Sequence, residues 1–395
     1  MKTDNFKDAK NISNKSKARI YLDYASSTPL HPEVKKAMEP FWSEDFGNAG
    51  SRHEEGMKAE KSLKEFRGKI AGILNVKKEE IIFTSGGTES NSLAIIGFLN
   101  YLEKKKRLSG KQIITTEIEH PSVLEIFKEY EKKGLDVSFT PIFPSGFVDL
   151  KKLSELSSDK TILVSIAYVN SEIGVIQPLK KIKNLLLKKN TEIIFHTDAS
   201  QAPLYLQTRP ESLGVDMMSL DGQKIYGPKG IGLLYKNNKV KISPIFLGGT
   251  QEKGLRPGTE NVPLIAGLSK ALEIAEEERP EASEKVSNLR NYFFERLLSL
   301  SPRVTPNGSR EFRIANNVNI SVKGESGEML ILKLNQKGIS ATSKSACMEE
   351  SEENSYVLKA LGGGESSGVR FTLGKETTKE EIDKTVLLLK EIIGT

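Results

Sequence analysis

The sequence predicts an α/β fold: a mostly parallel sheet covered by helices, followed by a smaller α+β region. Three observations carry this. Short apolar runs of strand type alternate with helical stretches through the first two thirds of the chain, the rhythm of crossover-connected parallel strands. At 395 residues, 37% hydrophobic and with 32 glycines, the chain can fill a large core and more than one domain. Beyond a long amphipathic stretch at residues 263–300, the pattern thins to two strand-type runs and a final helix.

Taken in order, residues 1–19 are polar and lysine-rich with no apolar centre, so they read as a flexible extension and not as a secretory signal. Seven runs then read as strands: residues 80–84, 112–115, 137–140, 161–165, 192–196, 217–220 and 232–235. Most are rich in the β-branched and aromatic residues that suit a pleated, buried surface. They define a large domain over residues 20–262. The stretch 263–300 reads as an amphipathic helix interrupted near Pro280, because proline has no N–H to donate and crowds the preceding turn. Residues 317–321 and 369–373 read as strands of a second sheet and 379–393 as the last helix, which gives a small C-terminal domain over 263–395.

Several function classes are disfavoured. No run of 18 or more apolar residues is present, which argues against a membrane span and makes the cytoplasm the default location. The net charge of +6 comes from 58 basic against 52 acidic residues, a small excess on a heavily charged surface. Lysine clusters such as Lys104-Lys-Lys-Arg107 and Lys188-Lys189 fall at expected helix ends, where they suit the helix dipole, and carry no interleaved aromatics. This argues against direct nucleic-acid binding, while contact with a tRNA-modifying partner stays open. Cys347 is the only cysteine, so no intramolecular disulfide can form.

The chemistry concentrates in two segments. Ile193-Ile-Phe-His-Thr-Asp198 is an apolar strand ending in an acid, and Lys224 sits between glycine-rich turns in Asp221-Gly-Gln-Lys-Ile-Tyr-Gly227. An acid can face a protonated pyridine nitrogen while a lysine forms a Schiff base with an aldehyde, which together describe pyridoxal 5′-phosphate. Taken singly, Asp198 reads as a strand end and Lys224 as a solvated loop residue. The turn Gly86-Gly-Thr-Glu-Ser90 follows a strand and opens a helix, so the backbone at Gly87 and the Thr88 hydroxyl are placed to bind a phosphate.

The order and spacing of further segments resemble the cysteine desulfurases of the class V aminotransferase superfamily. They are Tyr21-Leu-Asp-Tyr-Ala-Ser-Ser-Thr-Pro29, Phe83-Thr-Ser-Gly-Gly-Thr-Glu-Ser90, Glu119-His-Pro-Ser-Val123, Tyr168-Val-Asn-Ser-Glu-Ile-Gly174, His196-Thr-Asp-Ala-Ser-Gln201, Lys224-Ile-Tyr-Gly-Pro-Lys-Gly230, Leu255-Arg-Pro-Gly-Thr-Glu-Asn261, Ser343-Lys-Ser-Ala-Cys347 and Val369-Arg-Phe-Thr-Leu-Gly374. The resemblance implies the fold type I architecture of pyridoxal-phosphate-dependent transferases, with a seven-stranded large domain. It implies that His120 stacks on the cofactor ring and shuttles a proton, that Gln201 donates to the ring oxygen, and that Asn170 and Arg370 hold the substrate carboxylate. Thr259 would reach the phosphate of a neighbouring subunit, which implies a homodimer.

The implied reaction converts L-cysteine to L-alanine. Lys224 anchors the cofactor and moves the Cα proton. Cys347, on a flexible loop, takes the sulfur as a persulfide for an unidentified sulfur-acceptor protein, in the service of iron–sulfur cluster or thio-cofactor and tRNA biosynthesis. No metal ligand set is implied. Three readings stay open: the desulfurase; a selenocysteine lyase or other class V enzyme that would not need Cys347; and a non-catalytic interaction protein on the same scaffold.

The chain departs from the family pattern in places. The family usually has Ser-Gly-His-Lys where this chain has Asp221-Gly-Gln-Lys224. An ionised Asp221 cannot donate to a phosphate and would repel a dianion by about 4 kcal/mol at an effective dielectric of 20, before relaxation and screening. Three accommodations stay open: Asp221 turns away, a proton is shared between carboxylate and phosphate, or Gln223 and Thr88 suffice alone. The expectation is that the cofactor binds through Lys224 but is lost more readily than usual. Near the cysteine, Lys344 replaces a common glycine and favours the thiolate, while the acidic run 349–353 opposes it. The chain ends soon after its last helix, which leaves in doubt the scaffold-protein partnership that some relatives make through a longer tail.

Overall fold

The computed structural model describes residues 19–343, 355–362 and 368–394. Its strands, in chain order, are β1 (Ile20–Tyr21), β2 (Ile81–Thr84), β3 (Gln112–Thr116), β4 (Asp136–Thr140), β5 (Thr161–Ser165), β6 (Ile194–Asp198), β7 (Met217–Asp221), β8 (Gly232–Lys236), β9 (Val304–Pro306), β10 (Asn317–Val322), β11 (Ile339–Ser340) and β12 (Gly368–Thr372). Seven of them form one sheet in the order β2-β8-β7-β6-β5-β3-β4. Only β8 runs against its neighbours, pairing antiparallel with both β2 and β7. The sheet is mostly parallel, as the alternation of strand and helix runs requires.

The strands that read as continuous apolar runs are the buried ones, edge strand β2 among them, because helices cover both faces of most of the sheet. Every residue of β3, β7 and β8 is buried, whereas edge strand β4 is largely half-exposed. The predicted run at 192–196 forms later, at Ile194–Asp198, because Thr191 and Glu192 are exposed and belong to the turn before it. Asp198 is thereby the last residue of β6, as Asp221 is of β7. Both acids stand at the carboxyl ends of parallel strands, where ligands of open α/β sheets bind.

Beyond the large sheet, β12-β10-β9 form an antiparallel sheet and β1 pairs in parallel with β11. The helix expected to break near Pro280 does not break: Val262–Leu298 is one helix of 37 residues with Pro280 inside it. Pro280 is exposed, so the lost hydrogen bond and the ring face solvent. Buried residues on either side, Ala271, Leu272 and Ala275 before it and Val286, Phe293 and Phe294 after it, hold the axis continuous. This helix packs on the Glu54–Leu74 helix of the large unit and also on β9, β10 and the Lys379–Ile393 helix. Among the described residues, no helix is long and apolar enough to cross a membrane.

Candidate active site

A cleft of about 760 Å³ opens at the carboxyl ends of β5, β6 and β7. Into it come Gly87, Thr88, His120, Asn170, Asp198, Gln201, Asp221, Gln223, Lys224 and Arg370, residues scattered over most of the sequence. Thr259 does not line it. That residue is exposed, in a segment that Arg256 ties to the start of the Gly87–Lys104 helix, its Nε donating to Glu89 Oε1 at 2.9 Å. Cys347, with Lys344 and the acidic run 349–353, lies outside the described residues.

The cleft has three chemically distinct parts. At the first, Gly86 takes φ 152°, a conformation that favours glycine, and turns the chain into the Gly87–Lys104 helix. Glu89 Oε2 accepts from the Ser85 amide at 2.7 Å and fixes this turn. A side-chain carbon on Gly87 would lie 3.1 Å from Ser200 Oγ and 3.3 Å from Asp221 Oδ2. Ser200 Oγ is buried and has no hydrogen-bond partner among the described residues. An unsatisfied hydroxyl beside the open amides of a helix N-terminus is a site for an anion.

Asp221 does not turn away from this place. Its Oδ1 accepts from the Gln223 amide at 3.1 Å and its Oδ2 from Gln223 Nε2 at 3.2 Å. One departure from the family pattern is thus engaged with the other, and the glutamine amide that could bind an anion is directed at the carboxylate.

In the second part, Asp198 Oδ2 accepts from Asn91 Nδ2 at 2.7 Å and Oδ1 from the Ser200 amide at 2.9 Å. These donors orient the carboxylate for a cationic nitrogen. His120 lies nearby and caps the Pro121–Lys132 helix, its Nδ1 accepting from the Ser122 amide at 3.2 Å. Burial lowers the His120 pKa and Lys224 lowers it further, against Asp198 and Asp221, which raise it. Gln201 Nε2 donates to Ala25 O at 3.0 Å.

The third part surrounds Lys224 and Arg370. Lys224 Nζ donates to Ser26 O at 2.6 Å. Arg370 is almost fully buried; its Nη2 donates to Asp23 Oδ1 at 2.7 Å and Ser26 Oγ at 2.8 Å, and its Nη1 to Ser171 O at 2.9 Å. Its Nε is buried without a partner among the described residues, and the residue lines the cleft. Asn170, by contrast, is committed to backbone: Nδ2 donates to Ile118 O, and Oδ1 accepts from the Glu172 and Ile173 amides.

Two acids behind the wall carry raised pKa values. Burial pushes Glu119 up to about 8, against hydrogen bonds from the Ala167 amide and Thr116 and with Asp198 adding to the rise. Burial likewise pushes Glu172 up to about 7, against a hydrogen bond from Ser355 and the charge of Arg370. The Tyr356 hydroxyl donates to Glu119 O at 2.6 Å, so residues 355–356 are fastened to the same wall.

The chain that brings a lysine, an acid and an open helix N-terminus into this cleft matches a family model for class-V aminotransferases over residues 20–385. The chain belongs to the class-V aminotransferase family. It is 42% identical over 380 residues to "Cysteine desulfurase IscS" of Dictyoglomus turgidum, covering 95% of each chain. A solved "NifS-like protein" superposes with a TM-score of 0.88 at 34% identity, covering 95% of this chain and 99% of the other. A structure described as "SspA in complex with cysteine" aligns with a TM-score of 0.78 at 33% identity, covering 91% of this chain and 100% of that one.

Sequence reading missed Asn91, Ser122, Ser200, Ser26 and Asp23, which position or line the site. All but Asn91 lie inside segments that carry the family resemblance, and Asn91 directly follows one.

Proposed function

We propose that this protein is a cysteine desulfurase that moves the sulfur of L-cysteine to Cys347, leaves L-alanine, and uses pyridoxal 5′-phosphate held by Lys224. The observation that carries this is the convergence of Lys224, Asp198 and Arg370 on one cleft. The residues fit the cofactor: Gly87, Thr88 and the unpartnered Ser200 hydroxyl would hold its phosphate, Asp198 would face its ring nitrogen, and Gln201 would donate to its ring oxygen. When bound, the cofactor supplies an electron sink that weakens bonds at the carbon bearing the substrate amine.

The chain's own residues do the rest. Arg370 supplies the cation that draws the substrate carboxylate to this wall, a guanidinium N–H exchanging a protein acceptor for the substrate. Asn170 supports that wall through the backbone groups it ties together. Lys224 takes the proton from the substrate α-carbon and returns one later. The Cys347 thiolate attacks the substrate sulfur, forming an S–S bond as the C–S bond breaks, and the electron pair left on carbon takes a proton to give alanine. Thiol plus cysteine thus becomes persulfide plus alanine, with no external oxidant.

The unit is read as a cytoplasmic homodimer in which Thr259 serves the partner's phosphate cup; its exposure and its absence from its own cleft support that reading. The persulfide passes to a sulfur-acceptor protein for iron–sulfur or thio-cofactor synthesis.

Incubation of purified protein with L-cysteine, followed by alanine assay and mass measurement of the Cys347 peptide, tests this. Alanine with one added sulfur atom on that peptide is expected. Alanine with no sulfur on Cys347 would point to a lyase, and a colourless protein forming neither product to a non-catalytic relative.

A further inference from the structure

We propose that Asn91 is a positioning residue that fixes the tautomer of His120 and ties it to Asp198. Asn91 is fully buried in the Gly87–Lys104 helix, and its Nδ2 donates both to Asp198 Oδ2 at 2.7 Å and to Ser122 Oγ at 2.9 Å. Its Oδ1 has no donor among the described residues. Turning the amide over would set that oxygen against a carboxylate oxygen, so Asp198 selects the orientation even though it leaves Oδ1 unpaired.

The direction then propagates. Ser122 Oγ accepts from Asn91, which leaves its own proton free for His120 Nδ1, 2.8 Å away. The Ser122 amide, which can only donate, also points at Nδ1, at 3.2 Å. A ring nitrogen that accepts from both carries no proton, so the neutral imidazole keeps its proton on Nε2. The charged groups acting on the ring are Asp198, Lys224 and Asp221, and Glu119 precedes it in the chain. His120 therefore meets a ligand with a donor, never with an acceptor.

This deepens the functional reading above and rests on it only for the consequence in turnover, where neutral His120 offers a ligand a hydrogen bond from Nε2–H and must first gain a proton before it can give one up. The tautomer itself is independent of that reading. It is measured on cofactor-loaded protein labelled with ¹⁵N at histidine, using two-bond ¹H–¹⁵N correlations; the chain has four histidines, and His120→Gln assigns the signal. The parent is expected to show Nε2–H. Asn91→Asp must share a proton with Asp198 Oδ2, and its remaining lone pairs accept from Ser122, turning that oxygen's lone pair towards Nδ1, so population shifts from Nε2–H to Nδ1–H. A ring that only becomes charged would report the added carboxylate and would count against the wiring.

Adding Ser122→Ala to Asn91→Asp removes the link and restores the parent pattern. A packing role for Asn91 would lower the melting temperature and leave the tautomer alone. A parent with its proton on Nδ1, a measurement that needs no variant to fold, overturns the proposal. So does an Asn91→Asp effect that survives Ser122→Ala.

Discussion

Asp198 and Asp221 end adjacent parallel strands, β6 and β7, with Asp198 in register opposite Ser219, and both line the same cleft. Their partners differ. Asp198 accepts from Asn91, more than a hundred residues away in sequence, and from the Ser200 amide, whereas both hydrogen bonds recorded for Asp221 come from Gln223 two residues on. A strand end delivers an acid to the pocket; what faces it decides what the acid does. Asp198 stands where a cation is wanted. Asp221 stands beside the N-terminus of the Gly87–Lys104 helix, where the dipole already favours an anion. Under the proposed function its carboxyl would share this place with the cofactor phosphate.

The contrast can be broken by exchanging the charges. Asp198→Asn removes the counter-charge at the ring nitrogen, and turnover on L-cysteine is expected to fall on the order of 10³-fold. An unchanged rate would dissolve the difference between the two acids. Arg370→Ala removes the cation on the third side of the cleft; KM for cysteine should rise about 100-fold, within the range for losing a buried charged hydrogen-bonding group.

Asp221→Ser should act in the opposite direction, tightening the cofactor about tenfold, as read from the imine absorbance retained after dialysis. Full retention by the parent over days would mean that the carboxylate and phosphate coexist without penalty.

The smallest effect is expected at Glu172. Its folded value of about 7 lies above its ordinary 4.5, so between these pH values the folded chain holds a proton that the unfolded chain has lost. This group's contribution to stability is therefore full below about pH 4.5, declines as pH rises through 7, and is then level. Glu172→Gln should flatten that decline, with a gain on the order of 1 kcal/mol above pH 7 in melting experiments. A parallel pH dependence in parent and variant would remove Glu172 as its source.

The large sheet was legible because its strands are buried on both faces and announce themselves as unbroken β-branched and apolar runs, Ile81-Ile-Phe83 for example. Pro280 misled because a proline on the solvent side of a helix anchored at both ends costs less than its local chemistry suggests. Lys224, Asp198, His120 and Arg370 could be named in advance since each sits in a distinctive string of residues. Asn91 and Ser122 could not. A polar residue in an amphipathic helix reads as solvated surface until the fold reveals which carboxylate or imidazole it meets. Glu119 and Glu172 were passed over although both stand inside quoted segments, because their chemistry comes from burial.

The salt bridge between Arg370 and Asp23 joins residues 347 positions apart. On a ribosome, Asp23 and Ser26 emerge early and wait while almost all of the large sheet is made, and Lys224 finds the Ser26 carbonyl well before Arg370 exists. The wall that would grip a substrate carboxylate is thus the last part of the pocket to assemble, and a nascent or truncated chain lacking β12 could present a cofactor cradle with no means of selecting an amino acid.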